Sequence, residues 1–163
     1  MKLSFYDENM QQTLKAFQLT DEQLRFVKSP QLNVEEAKNM PSRKPVFGFD
    51  EGNAVVFFVL DTDSEYKEKF NVSHSIYIRS FAVAPRYVRQ GFATAALEAL
   101  PDFVRAHYPD VEYITLIVDE PNPGAKELYL KQGFELGDAV QGPRYPGYTM
   151  KKCIRSSDLT YTI

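Results

Sequence analysis

The sequence predicts an α/β (α+β) fold in which a mixed, mostly antiparallel sheet of six or seven strands carries flanking helices. Three observations predict it. Apolar runs at 46–49 and 54–60 flank Asp50-Glu51-Gly52-Asn53, a hairpin signal. The β-branched and aromatic run 75–83 passes through Pro85 into a small-residue turn that opens a helix near Phe92. A third run, 113–118, leads into a second helix with a complete set of end signals.

In chain order, residues 3–6 read as a first strand. A helix follows over 9–17, with Met10, Leu14 and Phe17 at helical spacing. Thr20-Asp21-Glu22-Gln23 and Asn33-Val34-Glu35-Glu36 both read as capping boxes, so a short helix is expected to start at each. The hairpin comes next, then a polar connection, 61–74, and the strand 75–83. The helix from Phe92 to about His107 contains Pro101, which removes one hydrogen bond and clashes with the previous turn, so a kink or early break is expected. After strand 113–118, Asn122 suits the N-cap, Pro123 the first helical position, and Gly133 a left-handed stop. Ala125, Leu128 and Tyr129 then share one helix face. Residues 133–137 and 148–154 close the sheet.

At 163 residues, one domain spanning 1–163 is expected, with no repeat, linker or low-complexity segment. The net charge is −3 and the basic residues are dispersed, which argues against nucleic acid as a partner. The N-terminus has no apolar signal core and the longest apolar run, 54–60, is far too short to span a bilayer, so no membrane association and a cytoplasmic location are expected. The single cysteine, Cys153, is expected to be a buried structural thiol in the last strand, and the two histidines lack metal-ligand spacing, so no metal is expected. The phosphate-loop pattern Gly-x-x-x-x-Gly-Lys-Ser/Thr does not occur.

Two segments carry chemistry. Backbone N–H groups around Arg89 to Thr94 lack intrahelical partners and face outward at a positive helix end, where Gly91 and Ala93 keep the backbone open to a phosphate or pyrophosphate. Many such junctions hold a Gly for turn geometry alone. The second segment runs from Val118 through the capped helix to Phe134.

Together these segments resemble the two signatures of the GNAT N-acetyltransferase superfamily, over about 44–152. The family pattern Gln/Arg-x-x-Gly-x-Gly/Ala aligns Gln90, Gly91, Phe92 and Ala93 in its last four positions. It departs at Val88, where the family prefers Gln or Arg, and Arg89 offers a charge in its place. Asn122, Ala125, Leu128, Tyr129, Gly133 and Phe134 fill the second pattern, Asn-x-x-Ala-x-x-Leu-Tyr-x-x-x-Gly-Phe. The resemblance implies that the strands ahead of the two helices form a parallel pair that splays where the helices begin, with acetyl-CoA as co-substrate entering that splay. It puts the backbones of Phe81, Ala82 and Val83 on the pantetheine, Arg89, Gln90, Gly91, Phe92, Ala93 and Thr94 around the pyrophosphate, and Asn122, Ala125 and Tyr129 beside the arm and thioester.

An alkyl ammonium has a pKa near ~10.4, so at pH 7 making the free amine costs about 4.6 kcal/mol and something must take its proton. The departing sulfur in turn needs an acid. A hydroxyl suits that task, and Tyr129 is the candidate general acid, its alternative being simple packing between helix and sheet. The base stays open among His74, the carboxylates of 61–68 and a water chain. The acceptor is expected to be the primary amine of a small molecule, a polyamine or an amino-acid-like compound. The N-terminal half loosely resembles bacterial spermine/spermidine acetyltransferases of the superfamily, and Asp61, Asp63, Glu65, Glu35 and Glu36 are the carboxylates a polycation site would draw on. Arg79, if it faces the cleft, argues the other way, toward a carboxylate or phosphate; if it faces solvent or a helix it carries no such meaning, and the sequence does not say which side is the cleft. Strict alternation puts it on the side of Tyr77, Phe81 and Val83. A catalytically silent acyl-CoA-binding regulatory module is the alternative function, and pairing of exposed strand edges would give a homodimer.

Overall fold

A computed structural model describes residues 1–155; residues 156–163 of the expected domain lie outside the described residues. The hairpin forms as its sequence dictates. β2 (Arg43–Asp50) and β3 (Asn53–Asp61) are joined by Glu51 and Gly52, both at positive φ (47° and 83°), the turn whose twist matches that of the flanking strands. Apolar residues on both faces bury nearly all of β3, which sits well inside the sheet. Around it lie β1 (Lys2–Phe5), β4 (Ser75–Val83), β5 (Tyr113–Asp119), β6 (Glu135–Gln141) and β7 (Pro146–Cys153), in the order β1-β2-β3-β4-β5-β7-β6. The sheet has seven strands, and every pairing is antiparallel except β4 with β5.

Helices cover both faces. α3 (Phe92–His107) and α4 (Pro123–Lys131) pack on one, over Val56, Phe58, Ile76, Ile114 and Leu116. α1 (Gln11–Ala16) and α2 (Pro30–Ala37) lie over the other, where Phe17 and Val34 meet Phe47, Phe57 and Val59.

Several expectations shift. The helix expected over 9–17 is a 3-10 turn, Glu8–Met10, capped by Asp7 and continued by the short α1. Thr20 and Gln23 close their capping box reciprocally, at 3.0 and 3.1 Å, but only the 3-10 turn Gln23–Arg25 follows. Asn33 caps nothing. α2 begins earlier, with Ser29 accepting from the Leu32 N–H and Pro30 in the first turn; Pro30 presets the helical φ, so this start prevails over the later box. Asn33 is buried inside the helix and donates back to the carbonyls of Lys28 and Ser29.

Pro101 does not end α3, which continues through it to His107. The cost of an interior proline is about 3 kcal/mol, while each of the buried Leu97, Leu100 and Val104 returns roughly 1.5–3 kcal/mol. Burial outweighs the lost hydrogen bond. Cys153 is exposed, not buried, because it ends β7 at the outer end of its pairing with Tyr113. The strand expected at 133–137 runs on to Gln141. Among the described residues no helix is long and apolar enough to cross a membrane, and no group of three or more His, Cys, Asp or Glu is placed to hold a metal ion.

Gly147 faces Asp119 across the β5–β7 ladder, and a Cβ there would strike the Val118 carbonyl. Gly147→Ala is therefore expected to destabilise the domain by about 3 kcal/mol, a fall of roughly 10 °C in Tm by calorimetry. An unchanged Tm would show that the ladder yields there.

Candidate functional site

β4 and β5 are paired for only three positions, Ser75–Tyr77 against Tyr113–Thr115. Beyond them the strands part. The gap forms a cleft of about 490 Å³ that runs through the sheet and is lined by residues of both faces.

The divergence coincides with a bulge on the other edge of β4. Arg79 pairs with Val59 and Ala82 with Phe57, so β4 carries one residue more than β3 between these points. Ser80 absorbs it at φ 56°. A bulge reverses the facing of the strand residues beyond it. Tyr77 stays with Tyr66 and Phe70, whereas Phe81 turns to the opposite face, stacked on Phe58 at 5.7 Å and edge-on to Tyr129 at 6.4 Å. The expectation that Arg79 shares a side with Phe81 and Val83 is thus overturned. Further along, the Ala84 N–H donates to the Val55 carbonyl, so Val83 turns its own peptide groups to the splay while Ala82 faces β3. The Val83 carbonyl accepts from the Gln23 side chain at 2.8 Å.

At the start of α3 the chain makes a sharp turn, with Arg89 at φ 59° and Gly91 at φ 85°. Only glycine reaches the latter without strain, and nothing lies within 4 Å of where its Cβ would be. The first helical bond runs from the Ala95 N–H to the Gly91 carbonyl at 3.0 Å, which leaves the N–H groups of Phe92, Ala93 and Thr94 without intrahelical partners. Gln90 donates its amide to the Arg86 carbonyl at 3.0 Å and so braces the turn. Ala93 and Val88 line the cleft; Arg89, Gln90, Gly91, Phe92 and Thr94 form the turn beyond its enclosed part.

α4 supplies the facing wall. Its end signals hold: Pro123 opens it and Gly133 closes it at φ 89°. Asn122 occupies the N-cap position, yet its side chain makes no capping bond and lines the cleft with Ala125, Leu128 and Tyr129. Tyr129 is buried, and its hydroxyl has no protein partner among the described residues. Since no buried polar side-chain atom of those residues is left without a partner, that hydroxyl opens to the cleft.

One residue of the site has no counterpart among the sequence-predicted candidates. β5 extends to Asp119, whose half-buried carboxylate lines the cleft. Burial pushes its pKa above the usual carboxylate range, against the pull of Arg144. Burial also raises the Tyr129 and Tyr77 hydroxyls, and the Asp119 charge acts on both in the same direction. The available signal was a carboxylate at the C-terminal end of a strand, just before a helix start. His74 is exposed at the closed end of the β4–β5 pair, its carbonyl accepting from Glu112 and Tyr113, and does not line the cleft.

On the α1–α2 side lies a chain of ion pairs. Asp61, only 2% exposed, accepts from Arg43 at 3.3 Å and Arg79 at 2.8 Å. Arg79 also pairs with Glu65 at 3.0 Å, Arg43 with Glu36 at 3.1 Å, and Glu36 with Lys28 at 2.7 Å. The Lys28 hydrogen bond holds the Glu36 carboxyl below its usual range. A carboxylate as buried as Asp61 is tolerated because two guanidinium groups compensate it, and losing either would cost about 3–5 kcal/mol. The carboxylates named for a polycation do not converge on the cleft. Asp61, Glu65 and Glu36 sit behind the arginines, while Asp63 and Glu35 pair with Lys67 and Lys38 at the surface.

Comparison with known proteins agrees with this architecture. The model of the acetyltransferase (GNAT) family matches residues 7–134. The chain is 30% identical over 135 residues to the uncharacterized N-acetyltransferase YbbJ of Bacillus subtilis (strain 168), covering 82% of this chain and 84% of that protein. It is 29% identical over 117 residues to the spermine/spermidine N(1)-acetyltransferase of the same organism, covering 72% and 76%. Among solved structures, AAC(6')-Ib in complex with paromomycin and acetyl-CoA superposes with a TM-score of 0.77 at 16% identity, over 98% of this chain and 96% of that one; at that identity the likeness shows the fold.

Gly91→Asp puts bulk and negative charge beside the free N–H groups of α3. It is expected to weaken acetyl-CoA binding at least tenfold by calorimetry, while Gly91→Ala, which meets no atom, costs only about 1–2 kcal/mol of backbone strain. Equal affinity in Gly91→Asp and wild type would remove the anion cradle.

Proposed function

Because the chain belongs to the acetyltransferase (GNAT) family, we propose that its cleft transfers an acetyl group from acetyl-CoA to the primary amine of a small molecule by direct attack. The observation that carries this reading is the meeting of a protonated hydroxyl, a carboxylate and an open strand edge in one cleft. The family relation supports the reaction class.

Acetyl-CoA lies in the splay. The peptide groups of Phe81 and Val83 offer its pantetheine amides the hydrogen bonds of an added strand, with Ala82 setting their spacing. The N–H groups of Phe92, Ala93 and Thr94 receive the pyrophosphate at the positive end of α3, held in place by the Gln90 and Gly91 turn, and Arg89 adds charge. Asn122 has its amide available for the pantetheine arm. Ala125 is small enough to let the arm pass.

The acceptor arrives as an ammonium, and Asp119 takes its proton. The neutral nitrogen then attacks the thioester carbonyl, forming a C–N bond; collapse of the adduct breaks the C–S bond, Tyr129 donates its proton to the leaving sulfur, the surplus proton on the adduct nitrogen restores the phenol, and the proton held by Asp119 passes to solvent. Burial suits both roles. It keeps Tyr129 protonated across the working pH range and raises the basicity of Asp119 above that of a solvated carboxylate.

Thiol release from acetyl-CoA, followed over a panel of amines, tests the proposal. Tyr129→Phe is expected to lower kcat roughly 100-fold with little change in acetyl-CoA affinity. Tight acetyl-CoA binding with no turnover on any amine would instead make the chain a silent binding module. For Asp119 the sign is set by its role: the base must be ionised, so kcat/KM falls as pH drops through its raised pKa. Asp119→Asn should remove that acid limb and lower kcat/KM roughly 100-fold; an unaltered pH profile would exclude it as the base.

A further inference from the structure

We infer that the acceptor carries a carboxylate as well as its amine, so that the cleft takes an amino-acid-like substrate in preference to a polyamine. This rests on the acetyl-transfer reading and names the substrate class for the same cleft.

The charged side chains that line the cleft are Lys28, Arg43, Arg79 and Arg144 against Asp119 alone. Asp119 opens on the α1–α2 face of the cleft, since β5 runs without a bulge and Thr115, Ile117 and Asp119 alternate with Ile114, Leu116 and Val118, which fill the α3–α4 core. Lys28, Arg43 and Arg79 line the cleft from that same face, while the bulge at Ser80 puts Phe81 with Tyr129 on the other. An ammonium docked at Asp119 therefore extends its far end toward cations.

Arg79 is built to receive an anion. Its Nη1 is held by Asp61 and its Nη2 by Glu65, and its guanidinium lies 5.3 Å from the Tyr77 ring centroid, so the plane is fixed. Its Nε donates to nothing among the described residues, and the side chain is 12% exposed. Lys28, 36% exposed and held by Glu36 at 2.7 Å, adds an ammonium on the same face. Both offer donors only, and a carboxylate offers acceptors only. A second ammonium, as in a polyamine, also offers donors only and would face the donors of Arg79 and Lys28, whose carboxylate partners are already engaged. A phosphate dianion fits less well than a carboxylate, because Glu36, Asp61 and Glu65 already balance Lys28, Arg43 and Arg79 one for one.

The test pairs amino acids with the amines left when their carboxylate is removed, lysine with 1,5-diaminopentane and ornithine with 1,4-diaminobutane among them, alongside spermidine. Thiol release is measured for wild type, Lys28→Gln and Arg79→Gln, with N-acetylated amino acids titrated in parallel by calorimetry in the presence of coenzyme A. The amino acid of at least one pair is expected to exceed its partner roughly tenfold or more in kcat/KM. Lys28→Gln, at a half-exposed position, should erase most of that preference while leaving the KM for acetyl-CoA unchanged, and Arg79→Gln should do the same if it folds around Asp61. Equal or faster turnover of the diamines or spermidine would overturn the inference and leave acetyl transfer standing. Absence of all turnover, with N-acetylated amino acids still binding wild type more tightly than Lys28→Gln, would overturn acetyl transfer and leave the carboxylate site standing. Absence of both would overturn the site as well.

Discussion

Ser80 adopts a left-handed conformation where β4 sets two residues, Ser80 and Phe81, against the single Phe58 of β3, and the cleft opens along that stretch. Before the bulge, β4 presents Tyr77 and Arg79 to the α1–α2 face; after it, Phe81 reaches the α3–α4 face and meets Tyr129 edge-on. The same stretch is where β4 leaves β5. An open strand edge in the middle of a sheet exposes peptide groups that must find partners. Gln23, held in turn by Thr20, satisfies the Val83 carbonyl, so the edge persists without collapsing onto β5.

The two walls of the cleft divide the chemistry between them. On the α3–α4 side the groups are backbone N–H donors and one phenol, with little charge of their own. On the α1–α2 side the arginines are held from behind by carboxylates, and their orientation is set before any ligand arrives. Rigid placement of this kind reduces the ordering cost of binding. Between the walls, one desolvating environment shifts a carboxyl and a phenol in the same direction with opposite uses: the carboxylate becomes a better base and the phenol stays an acid.

Local signals in the sequence are legible where one short stretch decides the outcome. Asp50 to Asn53 specify a two-residue hairpin, and Pro123 and Gly133 bound α4, because turn and cap geometry depend on neighbouring residues alone. Asn33 shows the limit of that reasoning: two adjacent start signals compete, and Ser29 with Pro30 prevails. Pro101 shows another, since a buried apolar stripe outweighs a local breaker. Cys153 runs against its expected burial because its exposure depends on where the last strand ends.

The chain by itself determined the strand and helix order, the pair of motifs at Gly91 and Asn122 to Phe134, and with them the family and the identity of the candidate acid, Tyr129. Tertiary structure alone decided which face Arg79 occupies, that Asp119 stands in the cleft, and that Asp61, Glu65 and Glu36 stand behind it. The reason is the bulge at Ser80. Alternation along a strand can be read from residue types, but one surplus residue reverses it, and whether that residue is surplus depends on the register with β3, a pairing formed between segments distant in sequence.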